Sequence, residues 1–244
     1  MAKYHRNHHK RSATTGQKKQ SSNTNSAKLL IWITVGFAAV IILLAVLSVM
    51  QSNQPKRFTD LPDLTGQQVN GDEAAPITLI EFGDYMCPTC MQWDKLVFPQ
   101  LLEEYIETGK VKYVFINTLF HGEQSQLLSL ASESVYAQDP ENFWNFHHAI
   151  FDAQAALGHQ GAWASIELLL DLAEETVPGI DLAKLEEDIR NQTMLDHLKI
   201  DMDLIEKYEV KFTPTIMVNG IMLDDANYDS IKKTIERELE AEEQ

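Results

Sequence analysis

Residues 81–94 read EFGDYMCPTCMQWD and hold both cysteines of the 244-residue chain, Cys87 and Cys90. An apolar run precedes them and a helical pattern follows, so the pair is placed where a strand gives way to a helix. With Cys87 as the cap, Pro88 takes the first helical position, where its missing N–H costs nothing and its fixed φ suits the turn. Residues three apart share a helix face, which brings the two sulfurs within disulfide reach. Unpaired N–H groups and the positive end of the helix dipole then favour a thiolate at Cys87, while Cys90 lies one turn further in and shielded. That asymmetry is the chemistry of a dithiol pair: Cys87 forms or resolves mixed disulfides, and Cys90 closes the ring.

Two plainer readings compete with it. An inert bridge across so short a loop gains little chain entropy and makes a weak staple. Half of a zinc site would need further ligands, but there is no other cysteine and no histidine close in sequence.

Charge divides the chain. Residues 1–59 hold nine of the 20 Lys/Arg and no acid, leaving 11 bases against 36 acids, net −25, in the remainder. That excess of acid argues against nucleic-acid binding and suits solubility in an aqueous exterior. Residues 1–28 are polar and basic and read as a disordered cytoplasmic tail, in which His5, His8 and His9 are a weak metal motif. Leu29–Met50 is 22 residues without a charge, long enough to cross about 30 Å of hydrocarbon. Seven basic residues precede it and only Lys56 and Arg57 follow closely, which places the N-terminus in the cytoplasm and the rest outside. The alternative, a cleaved signal peptide, would have a shorter apolar region and a small-residue cleavage site. Either way the cysteines reach an oxidising compartment.

Residues 51–70 read as a linker with a short strand near its end, and residues 71–244 as one α/β domain. The patterns predict a strand over Ile77–Phe82, a helix from Cys87 to about Thr108 ended by Gly109, and a strand over Val111–Ile116. Strand, helix and strand with short turns make a right-handed parallel unit. From about 119 to 208 the pattern is helical, with segments near 124–137, 141–157, 163–176, 182–191 and 194–208. Strands follow at Thr215–Val218 and Ile221–Leu223 about an Asn219-Gly220 turn, and a last helix from Tyr228 to about Ala241.

The Cys87-Pro88-Thr89-Cys90 motif after a strand, Thr213-Pro214-Thr215 before the final hairpin, and a helical block between them resemble the DsbA-like family. The similarity is greatest to the membrane-anchored thiol–disulfide oxidoreductases of Gram-positive bacteria. It covers roughly residues 71–244 and implies a thioredoxin fold with an inserted all-helical subdomain, here preceded by one transmembrane helix. It also implies a cis Pro214 packed on the cysteines, with Thr213 offering backbone hydrogen bonds to a bound peptide. Glu81 and Lys112 sit on apolar strands and Asp94 lies one turn beyond Cys90; buried charges rarely persist unpaired. The family pattern has acids and a lysine at these positions beneath the cysteines, so Glu81, Asp94 and Lys112, with Pro88 and Thr89 of the motif, are expected to tune the thiols. The family's best-known member has Pro-His where this chain has Pro88-Thr89, and a neutral Thr lacks the charge of an imidazole, leaving its Oγ as a donor to the thiolate. His121 is expected near the site or in a structural role. Tyr85, Met86 and Trp93 are expected to be exposed and to hold unfolded chains.

The function implied is donation of the Cys87–Cys90 disulfide to reduced exported proteins, with no bound cofactor for the chemistry and a DsbB-like, quinone-linked membrane protein as reoxidant. A reductase or isomerase on the same fold is the near alternative; a redox-inert, membrane-tethered chaperone or binding module is the distant one. Some relatives bind calcium, and oxygen ligands lie around Asp201 and Asp203, but no EF-hand spacing appears and no site follows from the sequence.

Overall fold

A computed structural model describes residues 24–52, 55–158 and 161–242. The tail histidines His5, His8 and His9 lie outside the described residues. The chain forms two compact units that divide after Gln54.

The first unit contains α1, Thr24–Ser52, which starts within the stretch that composition assigned to the tail. Its segment Lys28–Leu47 has a mean hydropathy of 2.9 and no buried residue, and is long and apolar enough to cross a membrane.

The second unit is built on a five-stranded sheet ordered β1-β3-β2-β4-β5. β2 (Ile77–Gly83) and β3 (Val111–Asn117) are parallel, with Thr78 opposite Lys112 and Glu81 opposite Phe115. β1 (Gln68–Asn70), β4 (Thr215–Val218) and β5 (Ile221–Met222) join antiparallel. The stretch read as a linker is therefore partly built into the sheet: besides β1, Arg57 bridges to Ile221, and Phe58 N–H donates to Gly220 O.

Between β2 and β3 the chain departs from one continuous helix. α2 (Pro88–Leu96) ends at Val97 and α3 (Phe98–Leu101) restarts there. Pro99, lacking an N–H, breaks the ladder. The last turn, Leu102–Ile106, widens to π geometry, Glu107 N–H reaching Leu102 O. The insertion holds α4 (Glu123–Gln138), α5 (Phe143–Leu157), α6 (Ile166–Thr176), α7 (Leu182–Asn191) and α8 (Leu195–Lys207), and α9 (Tyr228–Glu242) closes the chain.

Strand alternation sorts the two sheet faces. Ile77, Leu79, Tyr113 and Phe115 join a core with α2, α4, α5 and α9, whereas Ile80, Phe82, Val114 and Ile116 pack with Leu204, Ile205 and Tyr208 at the end of α8. Gly83, where β2 ends under the cysteines, has no room for a side chain: an added Cβ would lie 2.2 Å from the Phe115 ring. Gly83→Ala is expected to destabilise the domain by about 1–3 kcal/mol as overpacking, read as a lower urea midpoint at unchanged slope. An unmoved midpoint would mean that Phe115 gives way freely.

Candidate active site

Asp84, 1% exposed, joins the end of β2 to the cysteine turn. Its carbonyl accepts from Cys87 N–H at 2.9 Å and its Oδ1 from Met86 N–H at 2.8 Å. Its Oδ2 accepts from Phe120 N–H and Ser125 Oγ, both at 3.0 Å, and lies 2.8 Å from His121 Nδ1. One carboxylate thus fastens the turn before α2 to the loop after β3, and His121 takes its place through it. Asp84 went unnoticed in the sequence, although an Asp accepting from the N–H two residues on is a known turn signal.

Cys87 caps α2 with Pro88 at the first helical position. Both cysteines are free thiols, Cys87 6% exposed and Cys90 fully buried. The Thr213–Pro214 peptide is cis, and Cys87 Sγ lies 3.4 Å from Thr213 O. The Cys87 thiol is lowered from the ordinary cysteine range to about 5. A hydrogen bond from the Cys90 thiol is the largest cause; burial opposes it, and the Thr213 side chain and the N–H groups of Cys90 and Thr89 add to the lowering. The sequence expectation rested chiefly on helix amides and the helix dipole, but the neighbouring sulfur leads. Burial pushes Cys90 well up, and so does its hydrogen bond to Cys87. Thr89 is exposed and acts through its backbone.

Beneath the sulfurs, Glu81 is 1% exposed and accepts from Tyr113 OH at 2.7 Å through Oε2. Burial raises its carboxyl well above the usual range; the Tyr113 hydroxyl opposes this, and the charges of Asp94 and Cys87 add to it. Asp94 is buried on α2, with Oδ1 2.6 Å from His148 Nδ1 and 3.8 Å from His147 Nε2. His147 is buried against Tyr85 OH at 2.8 Å, which lies 2.8 Å from Ser132 Oγ. Neither histidine was singled out from the sequence.

Lys112 does not join this group. Its register opposite Thr78 puts it on the Val114 and Ile116 face, away from Glu81, and its Nζ donates to Glu73 O at 2.8 Å. Tyr85, Met86 and Trp93 are also corrected, since they are core residues at 0%, 8% and 4% exposure. Phe120, whose N–H donates to Asp84, and Phe212, next to Thr213 in sequence, are exposed apolar side chains.

The acidity of Cys87 has a definite pH signature. Its folded pKa is depressed, so the stability it gives the reduced protein is fully present above the unfolded cysteine value near about 8.5 and lost as pH falls through about 5. Reduced minus oxidised unfolding free energy is expected to rise with pH across that window and to flatten below it. Thiolate ultraviolet absorbance should report a midpoint of about 5, moved up in Cys90→Ala; a midpoint near that of free cysteine would remove the basis of this account.

Residues 63–237 match the thioredoxin family. Disulfide bond formation protein D of Bacillus subtilis (strain 168) is 41% identical over 179 residues, 73% of this chain and 79% of that one. The probable disulfide bond formation protein D of Bacillus anthracis is 34% identical over 216 residues, 88% and 98% of the two chains. The crystal structure of oxidised BdbD from Bacillus subtilis superposes with a TM-score of 0.71 at 40% identity, covering 77% of this chain and 100% of its own. Chlamydia trachomatis DsbA shares the fold, with a TM-score of 0.64 at 24% identity over 75% of this chain and 96% of its own. With a dithiol at the N-terminus of α2, a cis proline against it and these relatives, the chain belongs to the DsbA-like thioredoxin-fold thiol–disulfide oxidoreductases.

Proposed function

We propose that this protein is a membrane-anchored, extracytoplasmic oxidase that donates the Cys87–Cys90 disulfide to reduced exported proteins. One observation carries the reading: an acidic Cys87 sulfur beside Thr213 O, backed by a buried, far less acidic Cys90. A substrate thiolate attacks Cys87 Sγ, the Cys87–Cys90 bond breaks, and Cys90 leaves with the electron pair. Its thiolate is costly in so buried a place and takes a proton, for which the Glu81 carboxyl, kept protonated by burial, is the near source. The substrate's second thiolate then attacks its own sulfur in the mixed disulfide and expels Cys87, whose low pKa makes it a good leaving group. The pair is left reduced, and a quinone-linked membrane partner takes up its two electrons. Phe120, whose N–H donates to Asp84, and Phe212, next to Thr213 in sequence, are exposed and offer apolar contact to an unfolded chain. The helix Lys28–Leu47 anchors the protein, with the basic tail inside.

Replacing Cys90 by Ala is expected to trap exported proteins on Cys87, and the further change Cys87→Ala to abolish the adducts. Equilibration with glutathione should give a potential nearer about −120 mV than about −270 mV. A value at the lower end would make the protein a reductase.

Calcium, which some relatives bind, would find oxygen donors in one buried cluster of this chain. Asn117 Nδ2 donates to Glu133 Oε1 at 2.8 Å and to Asp201 Oδ2 at 3.0 Å, Gln68 Nε2 to Glu133 Oε1 at 2.6 Å, and Gln67 Nε2 to Asp201 Oδ1 at 2.7 Å. All five side chains are buried, and the amide oxygens of Gln68 and Asn117 have no hydrogen-bond partner. Burial raises Glu133 to about 8 and Asp201 to about 6, so without a cation this cluster takes up protons near neutrality. Two carboxylates and amide oxygens are hard ligands of the kind calcium takes, and the ion would supply the missing positive charge. Asp203 is exposed and outside the cluster. Calcium is expected to raise the melting temperature of the wild type after chelator treatment and to leave that of Asp201→Asn unmoved.

A further inference from the structure

We propose that Asp94, His147 and His148 form a second, separate site for a divalent transition-metal ion of the zinc type. Each offers one ligand atom, and the three atoms lie within 4.8 Å of one another. Asp94 comes from α2 and the two histidines from successive positions of α5, so rigid elements hold the set.

The donor chemistry selects the ion. Two imidazoles with one carboxylate suit zinc, cobalt or nickel and not the hard oxygen-seeking cations. Three protein ligands also leave a fourth position for water, a common arrangement for zinc. His147 is prepared for the role: its Nδ1 is fixed by Tyr85 OH, and Tyr85 is held by Ser132. That leaves Nε2 facing Asp94 Oδ1 at 3.8 Å, longer than a hydrogen bond. The Tyr85 contact holds the ring's orientation, and with Nδ1–H donating to the Tyr85 oxygen it leaves the Nε2 lone pair for a metal.

Access runs through His148. Its side chain is 31% exposed and lines a cleft of about 500 Å³ with Asn145, Asp152 and Glu175, of which the last two carry carboxylates that would attract a cation. Lys95 is the competing positive charge, but it lies 3.8 Å from Asp94 Oδ2, the other oxygen, and is paired with Asp152. The Oδ1 side, shared by both imidazoles, is where the ion would sit. There it replaces the hydrogen bond from His148 with a bond to each histidine.

The test is cobalt(II) binding followed in the visible region, with zinc(II) displacement, on the full-length protein oxidised so that its sulfurs are joined. His5, His8 and His9 are changed to Ala so that tail imidazoles do not compete. One equivalent of cobalt with visible bands, lost in His148→Ala and in Asp94→Asn, is the expected result. Tyr85→Phe, which removes only the hydroxyl orienting His147, should weaken binding by about 10–100-fold. Glu133→Gln, in the oxygen cluster described above, should leave it unchanged. Absence of visible bands in a protein with native circular dichroism overturns the proposal, as do bands that persist in His148→Ala or disappear in Glu133→Gln. Should Asp94→Asn fail to fold, His148→Ala and Tyr85→Phe decide the matter. A site that works through the thiols would need reduced protein; this one does not.

Discussion

The hydrogen bond from the Cys90 thiol to Cys87 sets the character of the site. It is the largest cause of the low Cys87 pKa, and the same contact helps raise that of Cys90. Two identical side chains three residues apart therefore become unlike groups, one leaving easily as a thiolate and the other holding its proton. The surrounding structure maintains this difference. Asp84 fixes the turn that presents Cys87, the Thr213 side chain and carbonyl lie at the sulfur, and Gly83 lets the Phe115 ring close against the end of β2. A disulfide between such partners favours reduction because the reduced form stores its charge where it is most stable.

The helical insertion takes part in that arrangement. Ser132 of α4 and the two histidines of α5 reach Tyr85 and Asp94, which flank the cysteine motif in sequence. Glu81 lies on the sheet side of the same region, bound to Tyr113. Burying this many polar groups costs free energy unless they bind one another, and here nearly every partner comes from a different element. The network therefore fixes how the insertion packs on the thioredoxin core, a specificity that apolar contacts alone would supply less sharply.

Much of this was legible in the sequence where the signal is local. The strand before the motif, Pro88 at the helix start, and the boundaries of α7 and β4 follow from periodicity and turn chemistry. Lys112 was misplaced although its alternation with Val114 and Ile116 already put it on the face opposite Glu81 once the strands are parallel. Pro99 similarly announced the break after Leu96. The histidines are a different matter, since His148 meets Asp94 across 54 residues of chain and no period marks that pairing. Tyr85 and Trp93 look exposed beside a reactive motif because some of what covers them lies far along the chain, Ser132 and His147 of the insertion at Tyr85 and Ala226 O, which accepts from the indole N–H, at Trp93.

One tension remains, between the net charge of −25 beyond residue 59 and a cysteine that ionises readily. A crowd of carboxylates should repel a further negative charge. Range decides the outcome: at physiological ionic strength interactions between exposed charges fade over about 8 Å, and most of these acids are at the surface. The donors to Cys87 act at hydrogen-bond distance within a mostly buried pocket, where screening is weak. Three acids of that interior are restrained in different ways, Glu81 by holding its proton, Asp94 by the histidine against it and Asp84 by the N–H and hydroxyl donors around it. An acid-rich surface and an acidic thiol are compatible because the fold keeps uncompensated charge out of the few ångströms that matter.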